Sequence, residues 1–283
     1  MTPQKNGRII YSDAKFRAEP ARKIKMADFT KNYHTHTLRC HHASGADEDY
    51  VLAAIEAGLT TLGFSEHTPH FSDNSNYRMP FEEVGDYIDS LLTLREKYKG
   101  KIEILIGLET EYYESYFDRL LDYYKGLPLD YIILGQHFYN IDKDRKCAFH
   151  ESDDARLFTT YIDECVKGIQ TGRFSYHAHP DAFKFTGDAE HYYNEVRRLC
   201  RAAKDCSVPL ELNIQGYEFN RQYPNPEFWK IVGEVGCEVI IGVDAHSPEA
   251  ISRCQKNYSE IVEKFVNRYN LKLVDKLNLR SPV

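Results

Sequence analysis

The sequence predicts an α/β fold in which seven strand–helix units form a TIM-like (β/α) barrel. Two observations predict this fold. Short runs rich in β-branched and aromatic residues alternate with amphipathic segments along most of the 283 residues, and such alternation is typical of a parallel sheet covered by helices. Six of the seven runs end in His, Asp or Glu, as expected where the carboxyl ends of strands converge on the mouth of a barrel.

The seven β-rich runs are the predicted strands. They are KNYHTH (31–36), TTLGFSEH (60–67), KIEILIGLETEY (101–112), DYIILGQHFY (130–139), RFSYHAHP (173–180), VPLELNI (208–214) and CEVIIGVDAH (237–246). Their polar ends carry His34, His36, His67, Glu109, His137, His179, Asp244 and His246. An open doubly wound sheet would concentrate its site at one switch point. Polar residues at so many strand ends therefore favour the closed barrel.

A predicted helix follows every strand. Segment 47–58 begins with acidic residues and ends at a glycine, which matches the usual start and stop signals of a helix. Segment 81–100 places apolar residues at helical spacing on one face. The other predicted helices are 116–127, 153–172, 190–205, 226–236 and 248–269. We expect residues 31–283 to form a single domain after an amino-terminal extension, residues 1–30.

Composition excludes several classes of function. The net charge is −7 and the chain has no long run of Lys and Arg, which argues against nucleic acid as a partner. The seven cysteines are odd in number and form no CxxC pair, so we expect neither a disulfide framework nor a structural zinc knuckle. We therefore expect the protein to work in a reducing cytoplasm. No segment has the length and apolarity of a signal peptide or a membrane span.

The stretch HTHTLRCHH concentrates four histidines in residues 34–42. Side chains alternate faces along a strand, so His34 and His36 can bind one ion, and His42 can turn back toward them from the following loop. A lone histidine is more often a core or surface residue with a satisfied hydrogen bond. Ligand-type residues at six strand ends together favour a metal site.

Five histidines have another interpretation. His41 is expected to face away from His42. His177 shares a strand face with His179, and from the residues alone either one could be the ligand. The remaining three lie in loops or at a helix start and are not expected in the site: His70, His150 and His191.

The motifs HTHTLRCHHA, GFSEHTP, IGLETEY, GQHF, AHPD, ELN and VDAH stand in this order between residues 34 and 246. They resemble the ordered motifs of the PHP-domain phosphoesterases, most closely the histidinol-phosphate phosphatases of that family. The resemblance runs from about residue 32 to residue 250. It implies a distorted (β/α)7 barrel that holds two to three divalent ions.

The resemblance also implies how the ligands are divided. The first ion would be held by His34, His36, Glu109 and Asp244, the second by Glu109, His137 and His179, and the third by His42, His67 and His246. Glu109 would bridge two ions, and Glu109, Asp244 and His246 are the implied catalytic residues. Glu66 and Glu111 neighbour ligands without matching a ligand position, so we expect them to support ligands from outside the centre.

The implied reaction is hydrolysis of a phosphomonoester by a metal-bridging hydroxide. Metal coordination lowers the pKa of water from 15.7 to about 7, and a cluster of divalent ions attracts a phosphate dianion despite the acidic protein. Lys184 and Arg221 stand near positions that are basic in the family, and Arg39 in the first loop is a third candidate for binding phosphate.

L-Histidinol phosphate, in histidine biosynthesis, is the substrate that the resemblance favours. Another phosphate ester, such as phosphotyrosine or a sugar or nucleotide phosphate, remains the alternative, because the segment NIQGYEFNRQYPNP (213–226) follows the family's substrate loop only loosely. An amidohydrolase is disfavoured, since its bridging position usually carries Lys and here carries Glu109. A ligand set of His and carboxylates suits zinc, manganese or iron, and the oligomeric state stays open.

Overall fold

The computed structural model describes residues 28–71 and 77–283, so most of the predicted extension (1–30) lies outside the described residues. The strands are β1 Lys31–Asn32, β2 Thr61–His67, β3 Glu103–Thr110, β4 Tyr131–Leu134, β5 Phe138–Tyr139, β6 Lys146–Cys147, β7 Leu210–Asn213, β8 Glu238–Gly242 and β9 Lys272–Leu273. Parallel pairing runs in the orders β1-β2-β3-β4 and β7-β8-β9, and β5 and β6 form a separate antiparallel pair. The fold is therefore mixed α/β with a curled parallel sheet.

Helices follow the strands, as the alternating pattern predicts. They are α1 Asp47–Glu56, α2 Val84–Lys97, α3 Phe117–Tyr124, α4 Ala155–Gln170, α5 Ala189–Asp205, α6 Ile214–Glu218, α7 Pro226–Val235, α8 Pro248–Ser252 and α9 Cys254–Ile261. Short 3₁₀ turns occur at Leu38–Cys40 and Phe81–Glu83, and a π-helical segment, Val262–Asn267, extends α9. The ends are capped where the sequence supplies Asp or Asn, for example by Asp188 before α5 and Asn225 before α7.

The fifth predicted strand, 173–180, differs from expectation because it forms no continuous ladder. His177 alone makes parallel bridges, to Leu134 on one side and to Leu210 on the other. Pro209 has no N–H to extend the ladder toward residue 175. At the other end, the N–H of His179 donates to the Glu211 carboxylate (3.0 Å) instead of a backbone carbonyl. The segment nevertheless occupies the position between β4 and β7.

The first strand is also shorter than predicted. Continuous pairing covers only Lys31–Asn32. Beyond it, the Asn32 side-chain amide donates to the carbonyl of His34 (3.0 Å) and to Thr35 Oγ1 (2.8 Å). A single parallel bridge follows between Thr35 and Ala245. The backbone thus approaches the end of β8 at the level of the two histidines.

Two apolar clusters hold the sheet in place. The larger packs helix faces against the sheet, including Tyr87 and Leu91 of α2, which are fully buried. The smaller cluster contains Tyr33, Tyr131 and Tyr176. The Tyr131 hydroxyl donates to the Tyr33 carbonyl (2.8 Å), and its ring covers the backbone of Gly107, where an added Cβ would lie 2.6 Å from the ring. Burial of such a side chain contributes on the order of 2 kcal/mol each.

All seven cysteines are free, in agreement with the prediction that the chain has no disulfide framework. Among the described residues, no helix combines the length and apolarity that a bilayer crossing requires.

Candidate metal centre

Glu109, at the carboxyl end of β3, is the centre of a histidine cluster. Its Cα is in register with that of His67 at the end of β2. Glu109 Oε1 lies 2.9 Å from His179 Nε2 and 3.4 Å from His137 Nε2. Glu109 Oε2 lies 3.1 Å from His67 Nδ1 and 3.5 Å from His36 Nε2. One fully buried carboxylate therefore contacts imidazoles from four separate segments.

Asp244, which follows β8, is the second carboxylate of the centre. Its Oδ1 lies 3.6 Å from His34 Nε2, 3.3 Å from His36 Nε2 and 3.4 Å from His246 Nδ1. Asp244 has a left-handed φ of 54°, and His179 has a φ of 30°. Backbone of this kind costs on the order of 1 kcal/mol for a residue with a side chain and is concentrated at functional sites. In both residues the left-handed backbone turns the chain away from the extended strand direction beside the centre.

His42 reaches the centre from the first loop. The turn at His41, which has a φ of 63°, follows the 3₁₀ segment. His42 Nε2 lies 3.0 Å from His246 Nε2, and these two residues and the buried Cys40 have ligand-type atoms within 4.8 Å of one another. Cys40 is not among the predicted ligands, because an isolated cysteine in a sequence does not by itself indicate a metal site.

Two carboxylates outside the centre, Glu66 and Glu111, orient imidazoles by contacting the ring nitrogen that faces away from Glu109. Glu66 Oε1 lies 3.4 Å from His36 Nδ1, and Glu66 also accepts the backbone N–H of His67 (2.8 Å). Glu111 Oε1 lies 3.6 Å from His137 Nδ1, and Arg78 binds the other Glu111 oxygen at 2.7 Å. These contacts leave Nε2 of His36 and His137 directed at Glu109.

Three polar residues of β7 and α6 also contact the centre, and no role was predicted for them, although Glu211 and Asn213 belong to the ELN motif. Glu211 Oε1 lies 2.8 Å from His34 Nδ1, and Asn213 Nδ2 donates to Asp244 Oδ2 at 3.1 Å. Gln215 Nε2 lies 2.7 Å from His246 Nδ1. The available signal for Glu211 and Asn213 was their alternation with apolar residues in the run LELN, which places both on one face of a strand.

Burial and neighbouring charges shift the pKa values of the clustered side chains in opposite directions. Burial opposes ionisation of His36, yet Asp244, Glu66 and Glu109 raise its pKa to about 9. Burial also opposes the ionisation of Glu109, but the surrounding imidazoles hold its pKa well below the usual range. Burial lowers the pKa of His246 to about 3, which keeps an imidazole lone pair free at neutral pH.

The donor set fits divalent metal ions. His34 Nε2, His36 Nε2 and Glu109 Oε2 are buried and make no well-aligned hydrogen bond among the described residues, and bound metal cations would satisfy them. Nitrogen and carboxylate oxygen donors suit zinc and other transition metals. Groups of three donor atoms within 4.8 Å of one another include His34, Glu109 and His179; His34, His36 and Asp244; His67, Glu109 and His137; and His36, His67 and His246.

A cavity of about 280 Å³ opens over the cluster. It is lined by His42, His67, His137, Phe149, His179, Gln215, Phe219, Arg221, Tyr223, Asp244 and His246. The lining therefore combines candidate metal ligands with three aromatic side chains, Phe149, Phe219 and Tyr223, which we call the aromatic wall. The space suits a small molecule rather than a polymer.

The three candidate cations are placed differently. Arg221 lines the cavity and has no ion pair among the described residues. Lys184 lies outside the lining and pairs with Glu151 at 2.5 Å. Arg39 is also outside it, because Asp47 (2.9 Å) and Asp86 (2.7 Å) hold its guanidinium. The structure brings only Arg221 to the site.

His177 lies beside the cluster but not in it. Both of its ring nitrogens are buried without a hydrogen-bond partner among the described residues. Burial is the main cause that lowers the pKa of His177 to about 3, and the nearby His179 lowers it further. The imidazole of His179 is the one that contacts Glu109.

The family profile described as PHP domain matches residues 32–215. The chain belongs to the PHP-domain family. This match covers well over half of the chain and includes seven of the nine candidate ligands; Asp244 and His246 lie beyond it.

Relatives of this PHP-domain protein include a protein of Deinococcus radiodurans named "Probable histidinol-phosphatase", 26% identical over 76% of this chain and 85% of the relative. A crystal structure of histidinol phosphate phosphatase from Lactococcus lactis, complexed with zinc, L-histidinol and phosphate, is similar in fold (TM-score 0.66, 16% identity, 88% of this chain and 99% of that one). One chain from the crystal structures of metal-dependent tyrosine phosphatases of Bacillus subtilis and Streptococcus pneumoniae is also similar in fold (TM-score 0.50, 16% identity, 90% of this chain and 99% of that one).

Proposed function

We propose that this PHP-domain protein is a metal-dependent phosphomonoesterase that hydrolyses L-histidinol phosphate to L-histidinol and phosphate. The observation that carries the proposal is the convergence of two buried carboxylates, Glu109 and Asp244, with imidazoles on one small cavity. The named activity of the Deinococcus relative and the ligands of the Lactococcus enzyme support it. The free cysteines are consistent with the reducing cytoplasm, where we place the protein.

We also propose that the curled sheet is a distorted seven-stranded barrel. The bridges of His177 to Leu134 and to Leu210 support this closure on one side of the sheet. The bridge between Thr35 and Ala245 supports it on the other. A closed ring would bring all the candidate ligands to one mouth.

Two to three divalent ions, zinc, manganese or iron, would be bound at this mouth. His34, His36, Glu109 and Asp244 would hold the first, Glu109, His137 and His179 the second, and His42, His67 and His246 the third. When bound, such ions supply Lewis acidity and a hydroxide nucleophile near neutral pH. Selection among the metals depends on availability in the cell as well as on the donors.

The chain's own residues then have distinct tasks. Glu109 and Asp244 provide the negative charge that balances the cations, and both are held ionised at neutral pH because their pKa values lie well below the usual range. His246, oriented by Gln215, faces the cavity. Arg221 faces the same space, has no ion pair within residues 28–71 and 77–283, and would bind the phosphoryl oxygens.

The aromatic wall would receive the leaving group. Phe149, Phe219 and Tyr223 line the cavity together with the histidines, and flat rings pack well against such side chains. An imidazole ring suits this wall. A phenol ring suits it too, and together with the likeness to tyrosine phosphatases this makes phosphotyrosine the second candidate substrate.

Steady-state turnover of the metal-loaded chain on a panel of esters tests the proposal. The panel contains histidinol phosphate, phosphotyrosine, a hexose phosphate and a nucleoside monophosphate. We expect histidinol phosphate to give the highest kcat/KM, in the usual enzyme range of about 10⁴ to 10⁸ M⁻¹s⁻¹. A higher kcat/KM for phosphotyrosine would replace the substrate, and failure to hydrolyse any ester would overturn the phosphatase itself.

A further inference from the structure

Glu211 on β7 contacts several residues of the proposed metal centre, a role that the ELN motif alone does not indicate. Its Oε1 lies 2.8 Å from His34 Nδ1. Its Oε2 accepts the backbone N–H of His179 (3.0 Å) and an N–H of the Asn213 side chain (3.0 Å). The same Asn213 amide donates to Asp244 Oδ2 at 3.1 Å. One fully buried carboxylate therefore contacts, directly or through Asn213, three candidate ligands that come from three different segments.

Gly242, the last residue of β8, provides the space that this carboxylate occupies. A Cβ added to Gly242 would lie 1.8 Å from Glu211 Oε1 and 2.7 Å from Glu211 Cδ. Both distances are well inside van der Waals contact, so any side chain at position 242 must displace the carboxylate. Position 242 does not need glycine for its backbone, since it is regular strand paired with Asn213.

The same arrangement occurs at Glu109. The register partner of Glu211 on the next strand is Ile240, and Gly242 lies two residues beyond it. The register partner of Glu109 is Ile133 of β4, and Gly135 lies two residues beyond. A Cβ added to Gly135 would lie 2.0 Å from Glu109 Oε1. In both strand pairs, a buried carboxylate leans along the neighbouring strand into the space over a glycine.

We propose that Glu211 is a positioning residue of the metal centre and that Gly242 is required because it seats the Glu211 carboxylate. Glu211 fixes which nitrogen of His34 faces the centre and holds the backbone at His179 in its left-handed turn. The inference rests on the proposed function, because the ligands that Glu211 orients are those of the proposed metal site. Partners of this kind typically change metal affinity by about 10- to 100-fold.

Metal affinity of the full chain, measured by competition with a chromophoric zinc chelator, tests the proposal without relying on turnover. Gly242→Ala should weaken zinc binding by about 10- to 100-fold. Gly85→Ala is the matched control, because an added Cβ at Gly85 meets nothing within 4 Å. It should bind zinc like the wild type and, as a helical glycine in α2, unfold at an equal or slightly higher temperature.

A compensating variant separates positioning from general damage to the fold. Glu211→Asp shortens the side chain by one methylene and should weaken zinc binding on its own. Combined with Gly242→Ala, it relieves the contact with the new methyl group, so the double variant should bind zinc more tightly than the sum of the two single effects predicts. Glu211→Gln keeps the shape and removes the charge, and should lose affinity without a matching loss of unfolding temperature.

The outcomes are distinct. Wild-type affinity in both Gly242→Ala and Glu211→Gln, or strict additivity in the double variant, would overturn the inference. If Gly242→Ala does not fold, the affinity of Glu211→Gln alone decides. A wild-type chain that binds no zinc, manganese or iron would overturn the proposed function and this inference with it, whereas metal binding without ester hydrolysis would overturn only the proposed function.

Discussion

Glu109 Oε1 lies 2.9 Å from His179 Nε2, although 70 residues separate the two side chains in sequence. The contact joins the end of β3 to the segment between β4 and β7, across the interior of the sheet. Both side chains are almost completely buried. An unpaired carboxylate is costly to bury, so the charge of Glu109 must be balanced. Protonated imidazoles balance it here, and bound metal cations would balance it in the same way.

Glu109→Gln should therefore lower metal content and activity together. The amide keeps the shape but removes the charge and offers one oxygen donor in place of two. Elemental analysis and turnover of the purified variant check this, with His150→Gln as the control because His150 is exposed and outside the cavity lining. Full metal occupancy with full turnover in Glu109→Gln would remove Glu109 from the bridging position.

His179→Ala should lose more metal than His177→Ala. His179 contacts Glu109, whereas neither ring nitrogen of His177 contacts a polar partner among the described residues. The two substitutions remove the same atoms from buried positions, so each serves as the control for the other in unfolding measurements. Equal metal loss, with equal unfolding temperatures, would assign a ligand role to both histidines.

Arg221→Ala should raise KM for every phosphate ester, while Lys184→Ala should have little effect. Arg221 lines the cavity, and Lys184 is paired with Glu151 outside it. Loss of a charge-assisted hydrogen bond to phosphate costs about 1.5–3 kcal/mol, or roughly 10- to 150-fold in kcat/KM. Comparison of histidinol phosphate with a second ester in both variants measures this. Similar losses in Arg221→Ala and Lys184→Ala would show that Lys184 leaves Glu151 to reach substrate.

Gly135→Ala should weaken metal binding by at least about 10-fold, because the new methyl group would displace the Glu109 carboxylate itself. The loss should exceed that of Gly242→Ala, since Glu109 is a proposed ligand and Glu211 only orients ligands. Chelator competition on both variants gives the ranking. The reverse order would mean that Glu109 moves aside more easily than Glu211 does.

Glu164, which is not a proposed ligand, gives the stability of the protein a pH dependence. Burial raises the pKa of Glu164 to about 7, despite hydrogen bonds from the Asn140 N–H and the Gln136 amide. Because the pKa of Glu164 is higher in the folded than in the unfolded protein, folding favours its protonated form. This contribution to stability is fully present below about pH 4.5 and is lost as the pH rises through about 7. The free energy of unfolding of Glu164→Gln, relative to wild type, should therefore rise between pH 5 and pH 8.

The expected change is on the order of 2 kcal/mol. Urea unfolding of both chains at the two pH values, in the presence of chelator, measures it. The same wild-type to variant difference at pH 5 and pH 8 would contradict the raised pKa.

Much of this protein follows from local sequence patterns. Alternation of strand and helix patterns predicts the α/β fold because each pattern reflects which face of a segment is buried, a property of a few neighbouring residues. The same alternation places His34 and His36 on one side of the chain, and the ends of β2, β3 and β8 at one edge of the sheet. The odd number of cysteines without a CxxC pair predicts free thiols, and the resemblance to the family, rather than a local pattern, predicts supporting positions for Glu66 and Glu111.

The tertiary structure decided the relationships that depend on two distant segments. Pairing of Arg39 with Asp47 and Asp86, the interrupted ladder at His177, and the contacts of Glu211 all join residues that no local pattern connects. The space over Gly242 exists only because β7 and β8 lie side by side in one register. Packing in three dimensions determines which charges meet and which side chains fit, and this is why the contacts of Glu211 and Asn213 with candidate ligands became visible only in the folded chain.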